Sequence, residues 1–436
     1  MKKYFLASVF ALVGLGLVAT PIMLAQDTSG QITIKDPAEY NSYQNAVSQT
    51  NPQAKASASE AFLTSYPNSV VKLAVINGLV DAYMQFDAGK AVDAANRLLQ
   101  LDPNNLKALY LIAFVKKQQA TQLAASNPTQ QAQLLDDAAA AAQKGLVAAK
   151  PAGVADDAFK KQKATTDPFF HSVIAYDDIY SKKDLKAAIT EFRTELEMIS
   201  AANPDATKVA PALNDTLVLG QTYTQLQPAD MINGVWFMSR AENFAPASFK
   251  PVIDKQAKYW YKRFHGKEDG YDAVLAASAT SVFPPPDFKI DPAPTPKDIA
   301  DKFVTDNPDF STYAMGDSEY VLSNASTANA DKLWATLKDK VTIIPGTVIA
   351  ATASQIQLAV TDDAKADKKA DFTINMKVPL ADKDIPAVGS DVKNLVGTYD
   401  SYTQSPAQII MREGELQVEK KPVPHHKPAA GHHSSN

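Results

Sequence analysis

Residues 97–110 read RLLQLDPNNLKALY. A leucine-rich helical pattern runs into Asp102-Pro103-Asn104-Asn105 and stops, and a second helical pattern starts at once. Proline is tolerated in the first turn of a helix, where its missing N–H has no intrahelical partner anyway. Asn or Asp ahead of a helix can cap its free N–H groups. Four turn residues between two amphipathic runs therefore mark a junction between stacked helices.

The same junction recurs. YPNS at 66–69, DPNN at 102–105, SNPT at 126–129, AKPAG at 149–153, TDPF at 166–169, ANPD at 202–205 and FAPAS at 244–248 each divide two amphipathic runs. Between them Ala is frequent and apolar residues recur every three or four positions. The spacing predicts a chain of antiparallel helix pairs over 53–282, preceded by a polar N-terminal segment, 26–52.

Two stretches carry a family likeness. LGQTY, Leu219 to Tyr223, and AVDAANRLLQLDPNN, 91–105, with Ala91 and Pro103 at the family's spacing, resemble the tetratricopeptide repeat. That repeat is a helix pair of ~34 residues with a Leu-Gly-x-x-Tyr signature, a small Ala, an aromatic and a closing Pro. The chain departs from the pattern in places. It is one residue short between Tyr83 and Ala91, has Ala95 where an aromatic is expected, and closes two residues late at Pro246. The resemblance implies three or four degenerate repeats over about half the chain. Such repeats stack and leave a groove lined by the first helix of each pair. On that groove the resemblance places Asn77, Asp81 and Gln85, spaced i, i+4 and i+8 on one helix face, and Gln221 and Gln225 beside Asn214. It implies a surface for a protein or peptide partner; for any one of these residues a solvated helix face is the alternative.

AKYWYKRFHGKEDGYDAV, 257–274, groups Tyr259, Trp260, Tyr261 and Phe264 with Lys258, Lys262, Arg263 and His265. Basic-aromatic groups of this kind bind nucleic acid, sugars or peptides. The helical spacing of the rings instead assigns them to core packing in the last helix pair.

FPPPDFKIDPAPTP, 283–296, has six prolines in fourteen residues and no periodicity, which predicts a semi-rigid linker and a domain boundary. A helical lead-in follows from 297, with NADKLWATLKDK at 329–340. Then the hydrophobic period shifts to two. VTIIPGTVIAATA, QIQLAVTD, ADFTINMKVPL, DVKNLVGTYDSYT and QIIMREGELQVE form five strand candidates. Closing them into a small barrel removes exposed edges, and Gly346, Gly389 and Gly397 permit the coiling. The strand pattern resembles an oligonucleotide/oligosaccharide-binding (OB-type) barrel. The expected fold class is therefore α + β and multidomain: an all-α helical-hairpin solenoid, then a five-stranded OB-like barrel within 297–420. DDAKADKKAD, 362–371, reads as a solvated loop, and the His/Pro-rich tail 421–436 as disordered.

Met1-Lys2-Lys3, an uncharged apolar run from Tyr4 to Thr20, and Ala25 before Gln26-Asp27 form the three parts of a secretory signal. The expectation is an exported bacterial protein, periplasmic or secreted, cut after about Ala25. An uncleaved anchor is the alternative, although the run is short for ~30 Å of hydrocarbon. No later run would span a membrane.

The chain of 436 residues has no cysteine, which excludes disulfides, thiolate metal sites and cysteine nucleophiles. Net charge is −5, and residues 297–421 hold 14 Lys and Arg against 19 Asp and Glu, a poor balance for binding nucleic acid even on an OB-type barrel. His171 and His265 are isolated. No nucleophile elbow, His-Glu-x-x-His helix or phosphate loop is present. Asp136-Asp137 and Asp177-Asp178 are adjacent pairs that point to different helix faces. The sequence implies no cofactor, no metal and no catalytic residue. The expectation is a non-catalytic scaffold or adaptor in the cell envelope. Its rivals are a carbohydrate- or peptide-processing enzyme with a scattered carboxylate site, and a membrane-tethered assembly factor.

Overall fold

The computed structural model describes residues 33–123 and 126–417. The expected signal with its cut near Ala25 and the tail 421–436 lie outside the described residues. The chain divides into two units between Ala293 and Pro294.

The first unit is helical. Its elements are α1 Pro37–Ser48, α2 Pro52–Ser65, α3 Lys72–Met84, α4 Ala88–Leu101, α5 Leu106–Leu123, α6 Pro128–Leu146, α7 Asp156–Asp177, α8 Leu185–Ala202, α9 Ala212–Gln225, α10 Met231–Phe244, α11 Lys250–His265 and α12 Tyr271–Thr280. Each helix from α1 to α11 packs on the next, and α12 folds back on α10. The described residues hold six successive helix pairs, where the resemblance implies three or four repeats, and α1 lies within the polar N-terminal segment.

The junction at 102–105 closes as its residues require. Asp102 ends α4 with its N–H on the Leu98 carbonyl. Asn105 caps α5 by accepting from the Ala108 N–H at 3.1 Å. Asn51, Asp87, Asn127, Asp184 and Asp230 cap α2, α4, α6, α8 and α10 in the same way. TDPF is the exception: Pro168 lies inside α7, which runs through it. The chain turns instead at a π-helical turn, Asp178–Lys182, closed by Lys183 in the left-handed region.

Apolar side chains fill the spaces between helices in sequence. One cluster around Phe62, Leu79, Leu98 and Phe170 joins α1 to α7. A second, around Phe192, Trp236 and Phe237, joins α7 to α10, and a third around Ile253, Tyr261 and Tyr271 ends the unit. Helices α9 and α10 touch through glycine. A Cβ on Gly220 would lie 2.9 Å from the Gly234 carbonyl oxygen and from the Met238 nitrogen.

The Pro-rich stretch, read as a semi-rigid linker, contains the division between the units, and its first part is packed down. Ile290 is buried, and Phe283 and Phe288 pack on the helical core. Phe288 meets Trp236 edge-on with ring centroids 4.6 Å apart. The Ala293 N–H donates to the Phe264 carbonyl at 2.7 Å. The buried Arg240 reaches under its start, donating to the Ser278 and Ser281 carbonyls at 3.0 and 2.8 Å. The prolines extend the segment, and its aromatic residues hold it down.

The second unit begins with α13 Pro296–Asp306, α14 Met315–Asn324 and α15 Thr327–Leu337. The strands are β1 Val341–Ala351, β2 Gln355–Ala359, β3 Phe372–Met376, β4 Asp391–Gln404 and β5 Ala407–Leu416, all five where the period-two runs place them. They close in the order β1-β2-β3-β5-β4, and β3 runs parallel to β5. This matches the expected α + β class with a small OB-like barrel. Pairing with β4 shifts register at Ile344/Gly346, where a Cβ on Gly346 would lie 2.9 Å from the Ala359 carbonyl oxygen. Val321, Leu322 and Leu333 share one core with Ile344, Phe372 and Met411. The DDAKADKKAD stretch is not all loop: Asp362–Asp367 forms a short helix, α16. Asp371 is buried and accepts from the Val360 and Thr361 N–H groups at 2.7 and 2.8 Å.

Candidate functional site

The first helices of successive pairs, α3, α5, α7, α9 and α11, are bridged side chain to side chain. Lys107 on α5 meets Asp81 on α3 at 2.5 Å. Lys117 on α5 donates to Ser172 on α7 at 2.7 Å. Tyr176 on α7 donates to Asp215 on α9 at 2.8 Å. Gln221 on α9 donates to Gln256 on α11 at 3.0 Å. Four bridges over five alternate helices make these helices one continuous row.

The row holds the residues the sequence singles out. Asn77 is half-buried, with its amide on the Leu73 carbonyl at 3.3 Å. Asp81 and Gln85 are exposed. Further along, Asn214 and Gln221 are half-buried and Gln225 is exposed, on the one side of α9 that is not packed. The two groups lie on helices separated by α5 and α7, so the structure sets them at two places along the row. It does not bring them together.

Between them lies a feature that sequence reasoning misses. Tyr110 and Phe114 on α5, Phe169 and Tyr176 on α7 and Tyr180 in the π-helical turn after it are partly buried rings in two contacting groups. Tyr110 and Phe169 have centroids 4.6 Å apart, and Tyr176 and Tyr180 6.2 Å apart. The Lys117 ammonium sits 4.1 Å from the Tyr176 ring centroid and 5.6 Å from that of Phe169. Half-exposed rings beside a cation are the side chains that anchor binding partners. The signal is present as i, i+4 in Tyr110 and Phe114, but such spacing also describes a core stripe.

Beneath the rings is a sealed polar network. Ser172 donates to Asp215 at 2.6 Å, opposite the Tyr176 hydroxyl. Glu195 on α8 is buried beside Asp215, and its Oε2 has no hydrogen-bond partner. Burial, then the Asp215 carboxylate, pushes Glu195 well above the usual carboxylate range. The same two causes raise the Tyr176 hydroxyl. A lysine beside a serine beside an aspartate invites a nucleophile reading. Ser172 is 1% exposed and its hydrogen points into Asp215, so the group joins α5, α7 and α9 and offers no oxygen to a substrate.

A second carboxylate group joins α6 to α7. Asp177 is 1% exposed and held by Lys182 at 2.8 Å, while Ser181 donates to Asp136 at 2.6 Å. Burial pushes Asp177 up to about 6 against the pull of Lys182, and the nearby Asp136 carboxylate adds to it. Lys182 also holds the buried Asp178 at 3.0 Å, so Asp177 and Asp178 converge on one ammonium and do not serve separate faces as their adjacency implies, while Asp136 of the other pair reaches the same contact.

On α11, Tyr261 is buried and donates to the Asp269 carbonyl at 2.8 Å, while Trp260 and Phe264 lie against the same core. Tyr259 is 46% exposed and meets Trp260 edge-on. His171 pairs with Glu191 at 2.6 Å and His265 with the Asp291 carbonyl at 2.7 Å. In the second unit Tyr399 is buried and Tyr402 donates to Asp331 at 2.8 Å, which fits structural tyrosines.

Among the described residues no three His, Cys, Asp or Glu side chains are placed to hold a metal ion, and no helix is long and apolar enough to cross a membrane. No protein-family model matches the chain, and no curated protein matches it.

Proposed function

We propose that the protein is an exported bacterial, non-catalytic adaptor of the cell envelope. On this reading its degenerate tetratricopeptide-like helices bind an extended protein or peptide partner along the first-helix row. The observation that carries the reading is the set of partly buried rings with Lys117 around α5 and α7, flanked along the row by amides and a carboxylate near α3 and on α9. A peptide has the matching chemistry: apolar side chains for the rings, and backbone groups for Asn77, Asp81, Gln85, Asn214, Gln221 and Gln225. The N-terminal signal pattern supports the envelope address. Nucleic acid is a poor partner for a chain with a net charge of −5.

The test is a pull-down from envelope extract with residues 26–436. Its comparison is the same protein with Asn77, Asp81, Gln85, Gln221 and Gln225 changed to Ala, both shown folded by circular dichroism. Loss of the captured protein in the variant supports the reading. Equal capture by both removes the row as the site.

A further inference from the structure

We propose that the outward face of α11 is a second docking surface, for an acidic segment of a protein partner. Residues 250–267 carry six Lys and Arg against a single carboxylate, Asp254, in a chain whose net charge is −5. Three of the six are neutralised locally: Lys258 by Asp254 at 2.7 Å, Lys262 by Glu268 at 3.9 Å and Lys267 by Asp269 at 2.9 Å. Lys250, Lys255 and Arg263 make no ion pair with any described residue, and all three are exposed.

Their placement makes a stripe. Val252, Lys255, Tyr259 and Arg263 recur at i, i+3, i+7 and i+11, one side of the helix over about 16 Å. Val252 is 61% exposed and Tyr259 46%. The opposite side, with Ile253, Ala257 and Tyr261, is buried, and Gln256 turns toward α9. Arg263 is pre-positioned: its Nη1 donates to the Tyr259 hydroxyl at 3.4 Å and its guanidinium lies 5.6 Å from the Trp260 ring. Held this way, the planar fork gives up little side-chain freedom when it meets a carboxylate. Val252 and the Tyr259 ring supply apolar contact between the cations. Charge complementarity therefore selects a partner segment rich in Asp and Glu with an apolar side chain among them. The stripe and the ring row of α5 and α7 share no residue, so each can fail without the other.

The experiment uses purified protein and fluorescein-labelled poly-L-glutamate, followed by anisotropy at low and high salt. Phosphatidylglycerol vesicles are the second probe. The variant carries Lys255→Glu, Tyr259→Ala and Arg263→Glu, all exposed positions, with folding checked by circular dichroism. The expected result is binding of poly-L-glutamate that weakens about tenfold or more with salt and about tenfold or more in the variant. No binding to poly-L-glutamate overturns the proposal, as does equal binding by wild type and variant. Binding confined to the vesicles also overturns it, because the stripe would then be a membrane surface.

Discussion

Tyr176 on α7 donates its hydroxyl to Asp215 on α9 at 2.8 Å, and Ser172 fills the other oxygen of the same carboxylate at 2.6 Å. One buried carboxylate thus fixes two neighbouring first helices. Changing Tyr176 to Phe leaves one Asp215 oxygen buried without that donor. The expected loss is about 1–3 kcal/mol of unfolding free energy, read as a lower midpoint in urea with an unchanged slope.

The glycine contact between α9 and α10 has no room for a side chain. A Cβ at Gly220 meets backbone atoms, which cannot swing aside as a flexible side chain can. Gly220→Val is expected to lower stability by about 1–3 kcal/mol or more. Gly316→Ala, on α14 with nothing within 4 Å of the new Cβ, is the control. It is expected to be neutral or slightly stabilising, because Gly is a poor helix residue. Thermal unfolding of the two variants checks both.

Stability should fall as pH rises toward neutrality. Asp177, pushed up to about 6 by burial, binds its proton more tightly in the folded chain than in the unfolded one. The stabilisation from that proton is fully present below the ordinary aspartate value, about 4, and is lost as pH rises through the folded value. The difference between those two values corresponds to roughly 3 kcal/mol. Asp177→Asn removes its share of the dependence, so the variant should gain on wild type at high pH and match it in mild acid. Glu195, raised for the same reason, acts with the same sign. Urea midpoints measured across pH check the slope.

Asp81 separates binding from folding. It is exposed and its pair with Lys107 is a partly solvated bridge. Asp81→Ala is expected to change stability by less than about 1 kcal/mol. If the first-helix row binds the partner, the same change weakens capture. Parallel melts and pull-downs distinguish the two effects.

Much of the architecture is legible in local signals. Asn105, Asn51 and Asp87 cap helices beside their own turns, and the period-two runs become β1 to β5, because caps and pleats depend on neighbours in sequence. The break expected at Pro168 is absent because tertiary packing holds α7 through a proline that local preference would use to end it. The first-helix row is legible along α3 and α9, where polar residues repeat at four, and not along α5 and α7 between them. Ser172 and Asp215 are 43 residues apart, and Ser181 and Asp136 are 45 apart. Such pairings are made by packing, and no spacing rule reports them. The Pro-rich stretch reads only as a semi-rigid linker because proline count describes stiffness, while Phe283, Phe288 and Ile290 decide what it lies against.

A protein partner lying along the first-helix row should be reachable from both sides of the α5 and α7 rings. The most direct measurement places a photo-crosslinking amino acid, one site at a time, at Gln85 just after α3, Gln225 on α9 and Val147 just after α6, all three exposed. After irradiation in native envelopes, the same partner is expected to be trapped from Gln85 and from Gln225, and not from Val147. Trapping from Val147 alone, or equally from all three sites, would contradict binding along the row.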